Sequence, residues 1–177
     1  FIVSLIIINF SFHVWNLRQN YLIPFNAKFW EEKYLKSQWV IPNSKDGLGD
    51  DGLYAFAGWK YVHGTDPTLI NPEMPPLGKY LIGLTILIFK NQAIFAILTG
   101  ISTLVIYYFL SKAVIKSTLF SLLAVLLFSL DPLFFTQLSA PYLDLLFLTF
   151  ILSFLLTLIK KKLFLAAVIL GLMAGTK

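Results

Sequence analysis

An all-α, polytopic transmembrane helix bundle is the fold the sequence predicts, and three observations predict it. Hydrophobic residues make up 58% of the chain and charged residues only 13%, where a soluble domain carries about 25% charged residues. Mean hydropathy is +0.77. The apolar residues fall in long runs without period-two alternation and too long for barrel strands, which removes the sheet alternative.

The runs follow one another in a definite order. Phe1 to Leu17 is apolar, lacks a basic leader and an A-x-A cleavage site, and is expected to be a truncated first transmembrane helix rather than a signal peptide. The chain is expected to be an N-terminal fragment, cut at both ends. A polar, aromatic segment follows from Arg18 to Met74, so that residues 18–75 form a long loop carrying interfacial helices. Residues 76–177 supply the remaining membrane helices, in runs at Pro76–Phe89, Ala93–Leu110, Leu119–Leu130, Tyr142–Ile159 and Leu163–Ala174. A span needs about 20 apolar residues, so the shorter runs require their flanks.

Charge sets the orientation. The net charge of +5 is almost all lysine, Arg18 being the only arginine. By the positive-inside tendency Lys112, Lys116 and Lys160–Lys162 belong in the cytoplasm, which puts the 18–75 loop and the turn from Asp131 to Asp144 on the external face. Three runs lie between Pro76 and Asp131 where an even number is required. Pro76–Phe89 is the candidate for a partial or re-entrant helix. No basic stripe with interleaved aromatics exists, so nucleic acid is not a partner. The absence of cysteine excludes disulfides and thiolate chemistry.

Against this background, acidic residues held beside a membrane are candidates for function, since burying an ion there costs several kcal/mol. Asp50 and Asp51 open a segment, Gly47 to Val62, that is predicted to form a helix at the membrane surface. On that helix Asp50 shares a stripe with Tyr54, Ala57 and Tyr61, while Asp51 points about 100° away. The plain alternative is that both acids only favour the helix N-terminus. Lys79 either pairs a phosphate charge near the interface or snorkels there. Asp144 either orients an acceptor or cation, or caps its helix. Glu73 with Asp50 or Asp51 offers oxygens to a divalent cation, but no ligand spacing demands one and no cofactor is implied. His13 and His63 stand alone and read as packing residues. Trp30, Trp39, Tyr54, Trp59 and Tyr61 read as an interfacial belt, with sugar stacking compatible with it.

Several of these residues fall into an ordered pattern. Asp50-Asp51 and Tyr54, then Gly64-Thr65, then Pro75-Pro76-Leu77-Gly78-Lys79, resemble the first external loop of the protein O-mannosyltransferases, GT-C membrane glycosyltransferases. Asp131, Gln137 and Asp144 resemble that family's Asp-x5-Gln-Ser-Arg-x4-Asp segment, and Gly171 to Lys177 is similar to its Gly-Leu-x-x-x-Thr-Lys helix. Three positions depart: Asp51 stands for the family glutamate, Met74 for the histidine before Pro-Pro, and Ser139 for the arginine that would meet the lipid phosphate. The lipid A aminoarabinose transferases share the Pro-Pro-Leu step and a similar loop acid, so that branch stays open.

The resemblance implies transfer of a sugar, mannose in the family, from a polyprenyl-phosphate donor to a hydroxyl of a protein or lipid acceptor. Asp50 is then the general base, with Asp51 beside it, and Lys79, Tyr54, Asp144 and Gln137 handle substrate. One carboxylate with direct displacement predicts inversion, since retention needs a second carboxylate about 5 Å away as nucleophile. The expected setting is a multi-pass protein of a prokaryotic plasma membrane with its site facing outward. A transporter or non-catalytic membrane scaffold is the alternative from another class, distinguished by carboxylates facing a central pore.

Overall fold

The computed structural model describes residues 1–177 and is all-helical, with one isolated bridge between Ser37 and Asp46. The helices are α1 (Ile2–Asn16), α2 (Arg18–Leu22), α3 (Ala27–Lys36), α4 (Asp50–Val62), α5 (Leu77–Phe89), α6 (Ile94–Ile115), α7 (Thr118–Ser129), α8 (Pro132–Leu138), α9 (Asp144–Ile159) and α10 (Leu163–Ala174), with a 3-10 turn at Pro67–Leu69. Local chemistry explains several starts. The Asn26 side chain accepts from the Phe29 N–H at 3.0 Å to cap α3, and Asp131 accepts from Leu133 N–H at 2.7 Å to cap α8. Pro132 at the first position of α8 has no N–H and holds Asp131 extended, so α7 cannot continue and α8 leaves it at 65°.

Five helices run lengthwise and alternate in direction. α1 lies along α7, with Asn9 Nδ2 donating to Ser129 O at 2.7 Å. α6 and α9 run side by side in the same sense: Thr103 and Thr149 hydroxyls meet at 2.6 Å in the buried seam, and farther down Lys160 lies over the Phe109 ring. α6 turns back into α7 at Lys116 and α9 into α10 at Lys161, both with left-handed backbone (φ 59° and 56°). Lys112, Lys116 and Lys160–Lys162 therefore share one end. At the other end α10 returns to the start of α9, where Lys177 pairs with Asp144. α6, with 22 residues, is the one helix long and apolar enough to cross a membrane alone. The bent α7–α8 pair passes the same criterion jointly, and α1, α5, α9 and α10 are shorter apolar helices.

The acid-bearing end is closed by an antiparallel hairpin of α4 and α5. A Cβ on Gly58 would stand 2.2 Å from the Lys79 carbonyl oxygen, and one on Gly83 the same distance from Gly58 O, so the two backbones touch where both helices have glycine. On either side of that contact Tyr54 meets Ile82 and Ile86, and the rings of Tyr61 and Tyr80 lie 5.3 Å apart. α4 begins three residues later than the expected Gly47, after Gly49 in extended conformation. Every residue from Gly52 to Gly58 is buried, because α3 and α5 pack on it in addition to the bundle.

α5 starts and finishes at this same end. The Leu77 N–H donates to Gly175 O at 2.9 Å, after α10, and Gly78 lies against Leu143 and Thr176. Just past its other terminus, Lys90 O accepts from Phe25 N–H at 2.7 Å, and Asn91 Nδ2 donates to the carbonyls of Asn20 (2.9 Å) and Ile23 (2.7 Å). Asn20 in turn donates to Ser139 O at 2.7 Å, only a few residues from Leu143. With 13 residues α5 is about 20 Å long, and it lies across the upper parts of α6 and α9. Residues 76–177 are thus not all lengthwise helices; the first of them is a transverse one. Its buried residues are Gly78, Lys79, Ile82, Gly83, Thr85 and Ile86, while Leu84, Ile88 and Phe89 are exposed and apolar and line a groove shared with α6 and α9.

Candidate functional site

Asp50 and Asp51 occupy the first turn of α4 behind Gly49, which as N-cap supplies no side chain. Neither carboxylate caps the helix through a side-chain bond, so the free N–H groups favour both charges without occupying them. The helix turns them to different neighbourhoods. Asp51 is half-buried and lines a cleft of about 280 Å³ with Trp30, Gln92, Ser139 and Pro141. Asp50 is exposed and lies beside Tyr54.

Tyr54 links the acids to the bundle. Its side chain is buried with Ile82, Phe95, Leu143 and Leu146, at the junction of α4, α5, α6 and α9. Burial first, then the charges of Asp50 and Asp144, push its phenol up to about 12. Tyr142 is raised in the same sense by burial and by Asp51 and Asp50. Five residues from two distant parts of the chain, Asp50, Asp51, Tyr54, Tyr142 and Asp144, therefore share one electrostatic neighbourhood. Asp144 is the first residue of α9, behind Leu143 as N-cap, and instead of capping it forms an ion pair with Lys177. It also lines a groove of about 420 Å³ with Gln137, Asp131 and the apolar residues Phe128, Phe134 and Leu148. Gln137 Oε1 is buried there without a partner, whereas Asp131 is occupied as the α8 cap.

The Pro-Pro-Leu-Gly-Lys step packs on the Gly-Thr-Lys ending of α10. Gly78 leaves no room for a side chain, a Cβ there being 2.6 Å from Leu143 and 3.3 Å from Thr176. Lys79 does not reach the acid cluster. It is fully buried, and its ammonium donates to Asn71 O (2.7 Å), Asn71 Oδ1 (3.1 Å) and Met74 O (2.8 Å), with the Tyr61 ring at 5.4 Å. An ammonium has three donors, so none is left for a phosphate or for snorkelling. Lys79 instead ties the 71–74 turn to α5, and the cation beside the acids is Lys177.

Other singled-out residues serve packing. His13 stacks on Phe135, His63 Nδ1 lies 2.7 Å from Trp59 O, and Trp39 Nε1 donates to Leu48 O at 3.1 Å. Trp30 covers Gly52 and Trp59 packs on Phe25. Glu73 is exposed and no three His, Asp or Glu residues converge as a cation site. Ser139, in the family's arginine position, donates its hydroxyl to Thr136 O at 2.7 Å. Two site residues are not foreseen from sequence. Lys177 is signalled only as the end of the Thr-Lys resemblance, and Tyr142 only as a tyrosine two residues before Asp144. No family model, curated protein or solved structure matches the chain.

Proposed function

We propose that the protein is a polytopic membrane glycosyltransferase that moves a sugar from a polyprenyl-phosphate donor to a hydroxyl acceptor at the acid-bearing end of the bundle. One observation carries this reading: four segments far apart in sequence, Asp50–Tyr54, Pro75–Lys79, Tyr142–Asp144 and Gly175–Lys177, pack together at one end. The same segments carry the resemblance to the O-mannosyltransferases.

Asp50 is the general base. Polyprenyl phosphate leaves as a stable anion, so the attacking hydroxyl is the group that needs help: Asp50 takes its proton as the hydroxyl oxygen bonds to the anomeric carbon, and the bond from that carbon to the phosphate oxygen breaks with its electron pair going to the departing polyprenyl phosphate. Asp50 is exposed, so the dry surroundings a carboxylate base needs come with bound substrate. Tyr54, held protonated beside Asp50, is the neighbouring hydroxyl that can donate to its carboxylate. Lys177, already among the carboxylates, is the cation available to the phosphate, and its pair with Asp144 is exposed enough to exchange partners. Gln137 offers an unused amide oxygen in the adjoining groove. Displacement by a single base inverts the anomeric centre.

The lengthwise helices span a bilayer together with their flanks, the lysine turns facing the cytoplasm and the acids facing outward. Transport is the weaker reading, since none of the nine Asp and Glu residues lies within the body of a lengthwise helix. A lipid hydroxyl as acceptor, as in aminoarabinose transfer, uses the same chemistry. Membranes carrying the full-length protein should transfer radiolabel from a polyprenyl-phosphate sugar to protein, or to lipid in the second case. Label that stays on the donor in membranes with abundant folded protein would overturn the proposal.

A further inference from the structure

The Asp51 cleft has walls of a distinct chemistry. It is assembled from five stretches of chain and held by hydrogen bonds among them, Asn20 to Ser139 O and Asn91 to the Asn20 and Ile23 carbonyls, so its shape exists before any ligand arrives. Trp30 forms an aromatic wall fixed against Gly52, where even a methyl group would stand 2.5 Å from the ring. Asp51 makes no ion pair, and Gln92 Oε1 is buried with no partner. Leaving such a group unsatisfied costs about 1–3 kcal/mol, which a ligand that donates to it recovers. No lysine, arginine or histidine lines the cleft, so it is not built for phosphate. At about 280 Å³ it sits at the small end of ligand pockets, which start near roughly 300 Å³.

We infer that this cleft binds a single sugar ring, its hydroxyls donating to Asp51 and Gln92 and its apolar face meeting Trp30. The inference deepens the transferase reading and rests on it for the source of the sugar, donor or acceptor. It also divides the acidic pair: Asp50 works on the reacting hydroxyl while Asp51 holds a ring.

Saturation-transfer NMR with methyl mannoside and methyl glucoside, on full-length protein in lipid nanodiscs, tests it. The unmodified protein should bind one of these at about millimolar strength, the range suited to a ring with few contacts. Gln92→Leu keeps the size of the side chain and removes its polar atoms, so binding should weaken about tenfold while the melting temperature stays the same or rises. Asp51→Asn should weaken it as well. Displacement of the glycoside by a polyprenyl-phosphate sugar, but not by bare polyprenyl phosphate, assigns the cleft to the donor sugar; displacement by neither, with binding still dependent on Gln92, assigns it to an acceptor sugar. No saturation transfer to either glycoside, or equal binding by Gln92→Leu and the unmodified protein, would overturn the inference. Gln92-dependent binding without any sugar transfer would leave the cleft standing and remove only the transferase reading.

Discussion

At the lysine end of the bundle, helices reverse through turns of two or three residues, Lys116–Ser117 and Lys160–Lys162, whose left-handed positions are occupied by lysine and whose side chains point to solvent. At the acid-bearing end the connections are long, the α4–α5 hairpin closes the bundle, and both polar pockets described above open there. The same bundle thus carries minimal connectors on one face and a folded polar layer on the other. Connectors that short can reverse a chain but cannot enclose a substrate. The groups to which we assign chemistry lie where the chain is long enough to build walls around them.

The comparison is most easily broken at Asp50. Asp50→Asn keeps shape and hydrogen bonding but removes the proton affinity, and transfer should fall by roughly 10²- to 10⁴-fold with donor binding retained. Asp51→Asn should cost less, because the helix turns it toward the cleft. Lysine-to-glutamine changes at Lys160–Lys162 should leave the transfer rate per folded molecule unchanged, since they lie at the opposite end of the bundle from the acids.

A second contrast sets the packing of the two regions against each other. Gly58→Ala forces a methyl group into the Lys79 carbonyl and should destabilise by about 3 kcal/mol, seen as a lower melting temperature. Gly171→Ala in α10, where nothing lies within 4 Å, should stabilise by about 0.5–1 kcal/mol through helix propensity. Lys79→Met comes next in size. It leaves the oxygens of Asn71 and Met74 without their donor and should cost about 1–3 kcal/mol in thermal stability. Transfer per folded molecule should then be normal, and a loss of donor affinity at full stability would return Lys79 to the site.

The smallest effect is on pH dependence. Tyr54 and Tyr61 are both pushed from 10.0 to about 12, chiefly by burial, so the folded protein keeps protons that the unfolded chain releases. Their contribution is complete below pH 10 and is lost as pH rises toward 12. Circular dichroism should show alkaline unfolding in that window, and Tyr54→Phe should move it upward.

Much of the helical layout is readable in the sequence because apolar runs and their breaks are local. The start of α4 beside Asp50-Asp51 and the break before Pro132 have this character. The direction of α5 is not local. Its 13 apolar residues read as a helix whichever way they lie, and the transverse course follows from glycine contacts and backbone hydrogen bonds to residues far away in sequence. Lys79 illustrates the same limit, since its partners are mainly backbone carbonyls that composition does not reveal. The Asp144–Lys177 pair spans 33 residues and depends on α9 and α10 lying together. Gln92 looks like an ordinary turn residue until the walls around it are known.

The division of the molecule into two ends with α5 wholly at one of them is tested most directly by labelling single cysteines with an impermeant thiol reagent in intact cells, in a chain that has no cysteine of its own. Cysteines at Glu73 and Lys90, on either side of α5, should both react from outside along with one at Thr65, while one at Lys161 should react only after the membrane is opened. Labelling of Glu73 and Lys90 from opposite sides would contradict it, because α5 would then cross the bilayer and the acid-bearing layer could not be assembled as described.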